Sequence, residues 1–350
     1  MSKIKVCPEC GVPRIFSKGN RWESNGCITA QAGEGKRAFF YEVGGFNGLF
    51  SNLERTMGTP IDRIVSEGNR KNSVDYLRWL FSGPKGVLAR SILHNRVYKS
   101  VAGLGLVFGY GYFEILDVRR GESVTVYGRN IYCMPMFIGD ILGVFSVMEK
   151  VPAQAEIEEK GDGHIITVSR VDKPEEELAS RLQSETIRLK PGDIEYKGCS
   201  VCGLPAEFGN LAFDLKEGII TDTTTGRRMA TTGMDQIVAV FRELEAELGE
   251  DVVRAILDAQ RLYIRSALDR EEIELGYPYL RRFLAFRGMG NMVRYDARGD
   301  ALDAVVENAS PPLLVAGMLQ GIFELLSGSE SDCEYRRNED ATLEVAVRAR

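Results

Sequence analysis

The chain has 350 residues, 44% hydrophobic and 27% charged, the composition of an ordinary water-soluble globular protein, and its length suits two domains better than one. Its net charge of -6 and pI near 5.4 withhold the broad attraction to phosphate backbones on which most nucleic-acid binders rely, so nucleic acid is not expected as a partner. No run approaches the ~18 uninterrupted apolar residues of a spanning helix, and the opening MSKIKVCPEC lacks the apolar core of a secretory signal; both features point to the cytoplasm and to reduced thiols.

In chain order, a Cys-x-x-Cys knuckle comes first, Cys7-Pro-Glu-Cys10-Gly-Val-Pro13, followed by a short strand at Gly26-Cys27-Ile28-Thr29. Phe46, Leu49, Phe50, Leu53 and Met57 then recur at i, i+3, i+4, i+7 and i+11, which predicts an amphipathic helix. The run from Gly103 to Tyr112, with glycines at 103, 105, 109 and 111, reads as a strand kinked by glycine, since no lysine or helix start completes a phosphate loop. An apolar segment through Gly139 and Gly143 and a closing strand at Ile165–Val168 end this half. Residues 171–198 are strongly charged, with Pro174 and three glutamates as a helix start and a Lys190-Pro-Gly-Asp193 turn, and form a linker.

After the linker the pattern begins again. Cys199-Ser-Val-Cys202-Gly-Leu-Pro205 matches the first knuckle at an offset of 192, and Gly218–Thr221 matches Gly26–Thr29 at the same offset. Lys36-Arg37 falls on Arg227-Arg228, and Phe50, Leu53, Glu54 and Gly58 fall on Phe241, Leu244, Glu245 and Gly249, at an offset of 191. Gly103-Leu-Gly105 parallels Gly288-Met-Gly290, and Asn130, Gly139, Gly143 and Phe145 parallel Asn308, Gly317, Gly321 and Phe323 at 178. The second closing strand is Leu343–Val347. Two tandem copies of a mixed α/β module follow, residues 1–170 and 199–350. The Gly-x-x-x-Gly at 317 and 321 reads as tight packing of the last helix on the sheet.

Each knuckle is half of a tetrahedral four-cysteine site: the two-residue spacer lets both thiolates face one ion, and the glycine permits the turn that aims backbone N–H groups at sulfur. The simplest arrangement brings Cys7, Cys10, Cys199 and Cys202 onto one structural zinc ion at a pseudo-twofold junction of the copies. A redox pair, an iron–sulfur cluster or inert buried thiols would use the same residues, although neither a cluster nor haem is the expected cofactor. Cys27, Cys133 and Cys333 have no cysteine counterparts and read as packing residues. His94 and His164, the chain's two histidines, leave little for acid–base work or haem ligation.

The C-terminal block of each copy, Asn308 to Leu326 in the second with its preceding Gly-x-Gly segment, resembles the 4-vinyl reductase module over roughly 70 residues. The resemblance implies a twisted antiparallel sheet packed on helices, an apolar cavity between them, and binding of small hydrophobic molecules, often by paired modules. The family's Cys and Glu zinc motif around a Gly-Asp turn has no equivalent at Gly161-Asp162 or at Asn338-Glu339-Asp340. Aromatic and methionine side chains are the candidate pocket wall: Phe46, Phe50, Trp79, Phe108, Tyr110, Tyr112, Tyr132, Met134 and Met136, in the copy richer in such residues. The expected function is non-catalytic binding or sensing of an apolar or aromatic molecule. The alternatives are a redox or reductase-associated accessory using the cysteine pairs, or a structural adaptor with a protein partner or as a homodimer.

Overall fold

A computed structural model describes residues 4–30, 36–81, 94–172, 182 and 188–350. Three antiparallel sheets and the helices packed on them make an α+β fold. The central sheet has six strands in the order β1-β2-β3-β10-β9-β8: β1 (Asn20–Trp22), β2 (Ile28–Ala30), β3 (Arg37–Glu42), β8 (Leu211–Asp214), β9 (Ile219–Asp222) and β10 (Arg228–Gly233). Strands from before and after the charged segment therefore share one sheet, joined where Ala38 to Glu42 pair antiparallel with Gly233 to Met229. Strand β3 is buried on both faces, and its two-residue period sorts its side chains. Phe39 and Tyr41 enter the main core, whereas Ala38 and Phe40 enter a smaller one with Phe16, Trp22 and Phe208 beneath the knuckles.

The other two sheets share one strand order. The first runs β4-β5-β7-β6, from β4 (Tyr112–Arg119), β5 (Ser123–Arg129), β6 (Ala153–Lys160) and β7 (Gly163–Arg170); the second runs β11-β12-β14-β13, from β11 (Asn291–Ala297), β12 (Ala301–Glu307), β13 (Ser331–Arg337) and β14 (Leu343–Ala349). Each has a bulge in its first strand, between Ile115 and Asp117 and between Met292 and Arg294. Alternating burial along β5 and β12 turns one face of each sheet to the core.

The helices are α1 (Arg14–Gly19), α2 (Val43–Met57), α3 (Asp62–Leu80), α4 (His94–Phe108), α5 (Met134–Glu149), α6 (Met234–Leu248), α7 (Asp251–Ala267), α8 (Arg270–Glu274), α9 (Tyr277–Phe286) and α10 (Pro312–Ser327). Helix α2 ends at Gly58 and α6 at Gly249, both glycines with positive φ. The glycines of α5 and α10 face helices: a Cβ at Gly139 would lie 2.2 Å from Ser66 O of α3, and one at Gly317 would lie 2.6 Å from Leu257 O of α7. The expectation that Gly317 and Gly321 pack on the sheet is corrected accordingly, because helix backbones closing on each other demand the missing side chain. Packing also crosses between the halves, with α2 against α7 and α6 against α3.

Another correction concerns residues 103–108, which continue helix α4 and form no strand. Val97, Val101, Leu104 and Phe108 keep a helical spacing there, and Gly105 is small because a Cβ would meet the Phe113 ring at 2.9 Å. The glycines equivalent to Gly288 and Gly290 are instead Gly109 and Gly111: φ is 84° and 120° in the first turn, 76° and 118° in the second. Gly111 N–H donates to Gly218 O and Gly290 N–H to Gly26 O, contacts so close that a Cβ at Gly218 or Gly26 would overlap the facing backbone. The helix start expected at Pro174 lies outside the described residues.

Candidate metal centre and ligand cavity

Both knuckles are built alike. A bridge pairs Val6 with Pro13 and Gly198 with Pro205, and each turn closes with a backbone bond, Gly11 N–H to Cys7 O at 3.0 Å and Gly203 N–H to Cys199 O at 2.9 Å. The left-handed backbone of Gly11 and Gly203, φ 73° and 74°, allows that closure. The four sulfurs converge: Cys7 Sγ is 3.7 Å from Cys199 Sγ, Cys10 Sγ is 3.5 Å from Cys202 Sγ, and all four lie within 4.8 Å of one another. A tetrahedron with metal–sulfur bonds of about 2.3 Å has edges of about 3.8 Å, so the cluster suits a single ion, and these separations are too long for disulfides. All seven cysteines are free thiols. Backbone N–H groups of Cys10 and Glu9 point at Cys7 Sγ and bring that thiol down to about 7, whereas burial pushes Cys10 and Cys202 up. Four thiols with N–H groups aimed at sulfur form a cluster that could hold a metal such as zinc.

Arginines at matching positions tie the halves together. Arg37 donates to Gly288 O at 3.0 Å and to Asn308 O at 2.8 Å; Arg228 donates to Gly109 O at 3.2 Å and to Asn130 O. Each thus ties the central sheet to the turns around the other half's four-stranded sheet.

A cavity of about 870 Å3 opens in the first half, between helices α3, α4 and α5, strands β4 and β5, and strand β10 of the central sheet. That is the size of a pocket for a drug-sized molecule. Val97, Val101, Leu104, Gly105 and Phe108 line it from α4, Phe113 and Ile115 from β4, and Val124 and Val126 from β5. Ile15, Trp79 and Leu80 lie at its wall and are 47%, 47% and 41% exposed, so part of the wall is an apolar lip facing solvent.

Of the nine candidate wall residues, Trp79, Phe108 and Tyr110 line this cavity. The other six lie outside its wall. Phe46 and Phe50 are buried in the main core on α2, Met136 is buried on α5, and Met134 packs against the same core. Tyr132 is fully buried, stacked on Tyr110 at 4.4 Å, and so stands behind the wall. Tyr112 lies on β4 beneath the Arg129 guanidinium, 4.8 Å from the ring centre.

Asp140 is a wall residue absent from the candidates above. It accepts hydrogen bonds from Ser73 Oγ at 2.6 Å and Tyr132 OH at 3.0 Å, and burial pushes its carboxyl up to about 7 against the pull of these donors and of Asn69. It is partly buried and borders the cavity. The legible signal is an acid at the centre of Met134–Glu149, a helix otherwise free of charge before Glu149. Comparisons with protein families, with curated proteins and with solved structures gave no match.

His94 and His164 sit apart from the cysteines. His94 Nε2 lies 2.6 Å from Glu149 Oε1, which also accepts from Tyr98 OH at 2.8 Å. His164 lies on β7, and its Nδ1 is buried without a hydrogen-bond partner among the described residues. Cys27 and Cys133 are buried and Cys333 is partly so, with burial pushing Cys133 and Cys333 up to about 12. No helix among the described residues is long and apolar enough to cross a membrane.

Proposed function

We propose that this chain is a non-catalytic binding protein for a small apolar or aromatic molecule held in the first half, with a structural zinc ion joining the halves at Cys7, Cys10, Cys199 and Cys202. The observation that carries the binding role is the cavity of about 870 Å3 with its predominantly apolar wall. The elements that recur in the same order are read as two copies of one module, in keeping with the resemblance to the 4-vinyl reductase family and its hydrophobic ligands. Zinc is favoured because four thiols with N–H donors and near-tetrahedral spacing suit a redox-inert d10 ion, and a cytoplasmic setting would keep those thiols reduced.

Both parts are tested on the full-length protein. The neutral dye N-phenyl-1-naphthylamine is expected to bind saturably, about one per chain, and Val144→Trp, which fills the cavity from α5, is expected to abolish binding while the circular dichroism spectrum is retained. Non-saturable binding, or binding untouched by Val144→Trp, rejects the cavity as the site. Elemental analysis is expected to find about one zinc per chain, lost equally in Cys7→Ser and Cys199→Ser. An iron chromophore or no metal rejects the zinc assignment.

A further inference from the structure

Helix α5 turns Phe137, Asp140, Ile141 and Val144 toward the cavity, an i, i+3, i+4, i+7 stripe with one carboxylate on an otherwise apolar face. Ser73 Oγ and Tyr132 OH donate hydrogen bonds to that carboxylate and the Asn69 side chain favours its charge; all three are neutral. A carboxylate has about four acceptor positions, so at least one remains for a further donor. Buried ionised groups are costly unless paired, and among the described residues no lysine, arginine or histidine forms an ion pair with Asp140. Of the three cations at the cavity wall, Lys36 faces Asp75 at 3.8 Å, Arg37 donates to Gly288 O and Asn308 O while its buried Nε has no partner among the described residues, and Lys18 lies at the rim; none of them forms an ion pair with Asp140 among the described residues. A second sign points to a ligand with polar atoms. Thr231 Oγ1 is buried in the same wall and has no hydrogen-bond partner among the described residues.

We propose that Asp140 anchors the ligand through a protonated amine, so that the cavity selects amphiphilic amines: an apolar or aromatic body carrying a basic nitrogen. The nitrogen donates to the open acceptor position of Asp140 and neutralises its charge, the body lies against Phe113, Val126 and Ile141, and Thr231 meets a second polar atom of the ligand. This specificity rests on the cavity being the ligand site, as argued above, and adds to it the chemistry of the head group.

Three probes that share a skeleton test the assignment: 4-phenylbutylamine, 4-phenylbutanol and 4-phenylbutyrate, each displacing N-phenyl-1-naphthylamine from the full-length protein at pH 8. The amine is expected to act at about tenfold lower concentration than the alcohol, the scale of a charged hydrogen bond, with the butyrate weakest. Asp140→Asn is expected to bring the amine to the level of the alcohol, both potencies being read as a ratio on the same variant. Equal potency of amine and alcohol on the wild-type protein overturns the proposal whether or not the variant folds, and so does an amine advantage that survives in Asp140→Asn. Preference for the butyrate overturns it in favour of an anion site at Arg37 and Lys36. Absence of saturable dye binding to the wild-type protein would instead remove the cavity reading itself.

Discussion

The two halves place the same helix crossing over the same kind of sheet, yet one surrounds a cavity and the other a filled core. At the crossing, Asp140, Ser73, Tyr110 and Phe113 of the first half correspond to Met318, Ile264, Met289 and Met292 of the second. The four second-half residues are buried in the main core with Leu280, Phe283 and Leu284 of α9. Glycines set the helix spacing in both halves, so spacing does not create the difference. What differs is side-chain chemistry: flexible methionines fill gaps, whereas ringed and hydrogen-bonded side chains hold the wall open. A shared backbone plan can thus serve as a scaffold in one half and as a container in the other.

Substitutions at matched positions sharpen this contrast. The largest effect is expected where the halves contribute equally: Cys7→Ser and Cys199→Ser should each remove the metal and cost on the order of 5 kcal/mol in urea unfolding, with similar losses for the two. Unequal losses would mean that one knuckle holds metal without the other. Gly139→Val and Gly317→Val force helix backbones apart and should each cost about 3 kcal/mol or more.

The halves should diverge at the next pair. Leu319→Ala opens a void in a packed core and is expected to cost about 3–4 kcal/mol, whereas Ile141→Ala, its counterpart on the cavity wall, should cost about 2 kcal/mol, since the space beside it is already open. Equal costs in thermal or urea melts would contradict the cavity.

Asp140 gives the smallest effect and a pH signature. Its carboxyl is raised from the usual 3.8 to about 7 in the folded protein, so the unfolded chain releases the proton first and stability falls as pH rises from about 4 to about 7. Asp140→Asn is expected to flatten that fall and to stabilise the ligand-free protein by about 1–3 kcal/mol at pH 8, with no gain near pH 4. A gain independent of pH would show that ionisation is not the cause.

Local signals in the sequence are the readable ones. Each knuckle lies within seven residues, helix α2 follows its apolar rhythm, and the strand-ending helices carry matched Asn and Gly positions, so these elements can be located from the residues alone. Helix α4 escapes such a reading because Gly103 and Gly105 weaken a helical pattern, and the reason for Gly105, room for Phe113, is a contact formed only on folding. Pairing of β3 with β10 joins residues about 190 positions apart, and no local pattern specifies it. Aromatic content does not separate a cavity wall from a core: Trp79, Phe108 and Tyr110 border the space, Tyr132 stacks behind Tyr110, and Phe46 is buried in the core on α2. Asp140 is the reverse case, a polar residue in an apolar helix that marks the wall more sharply than any aromatic.

The central claim, a cavity in the first half opposite a filled core in the second, is tested most directly by diffraction from crystals of the full-length protein under xenon pressure, since xenon enters apolar cavities and not packed cores. Xenon density beside Phe113, Val126 and Ile141, with none between α7 and α10, is the predicted result. Xenon at both crossings, or only at the second, would contradict the account.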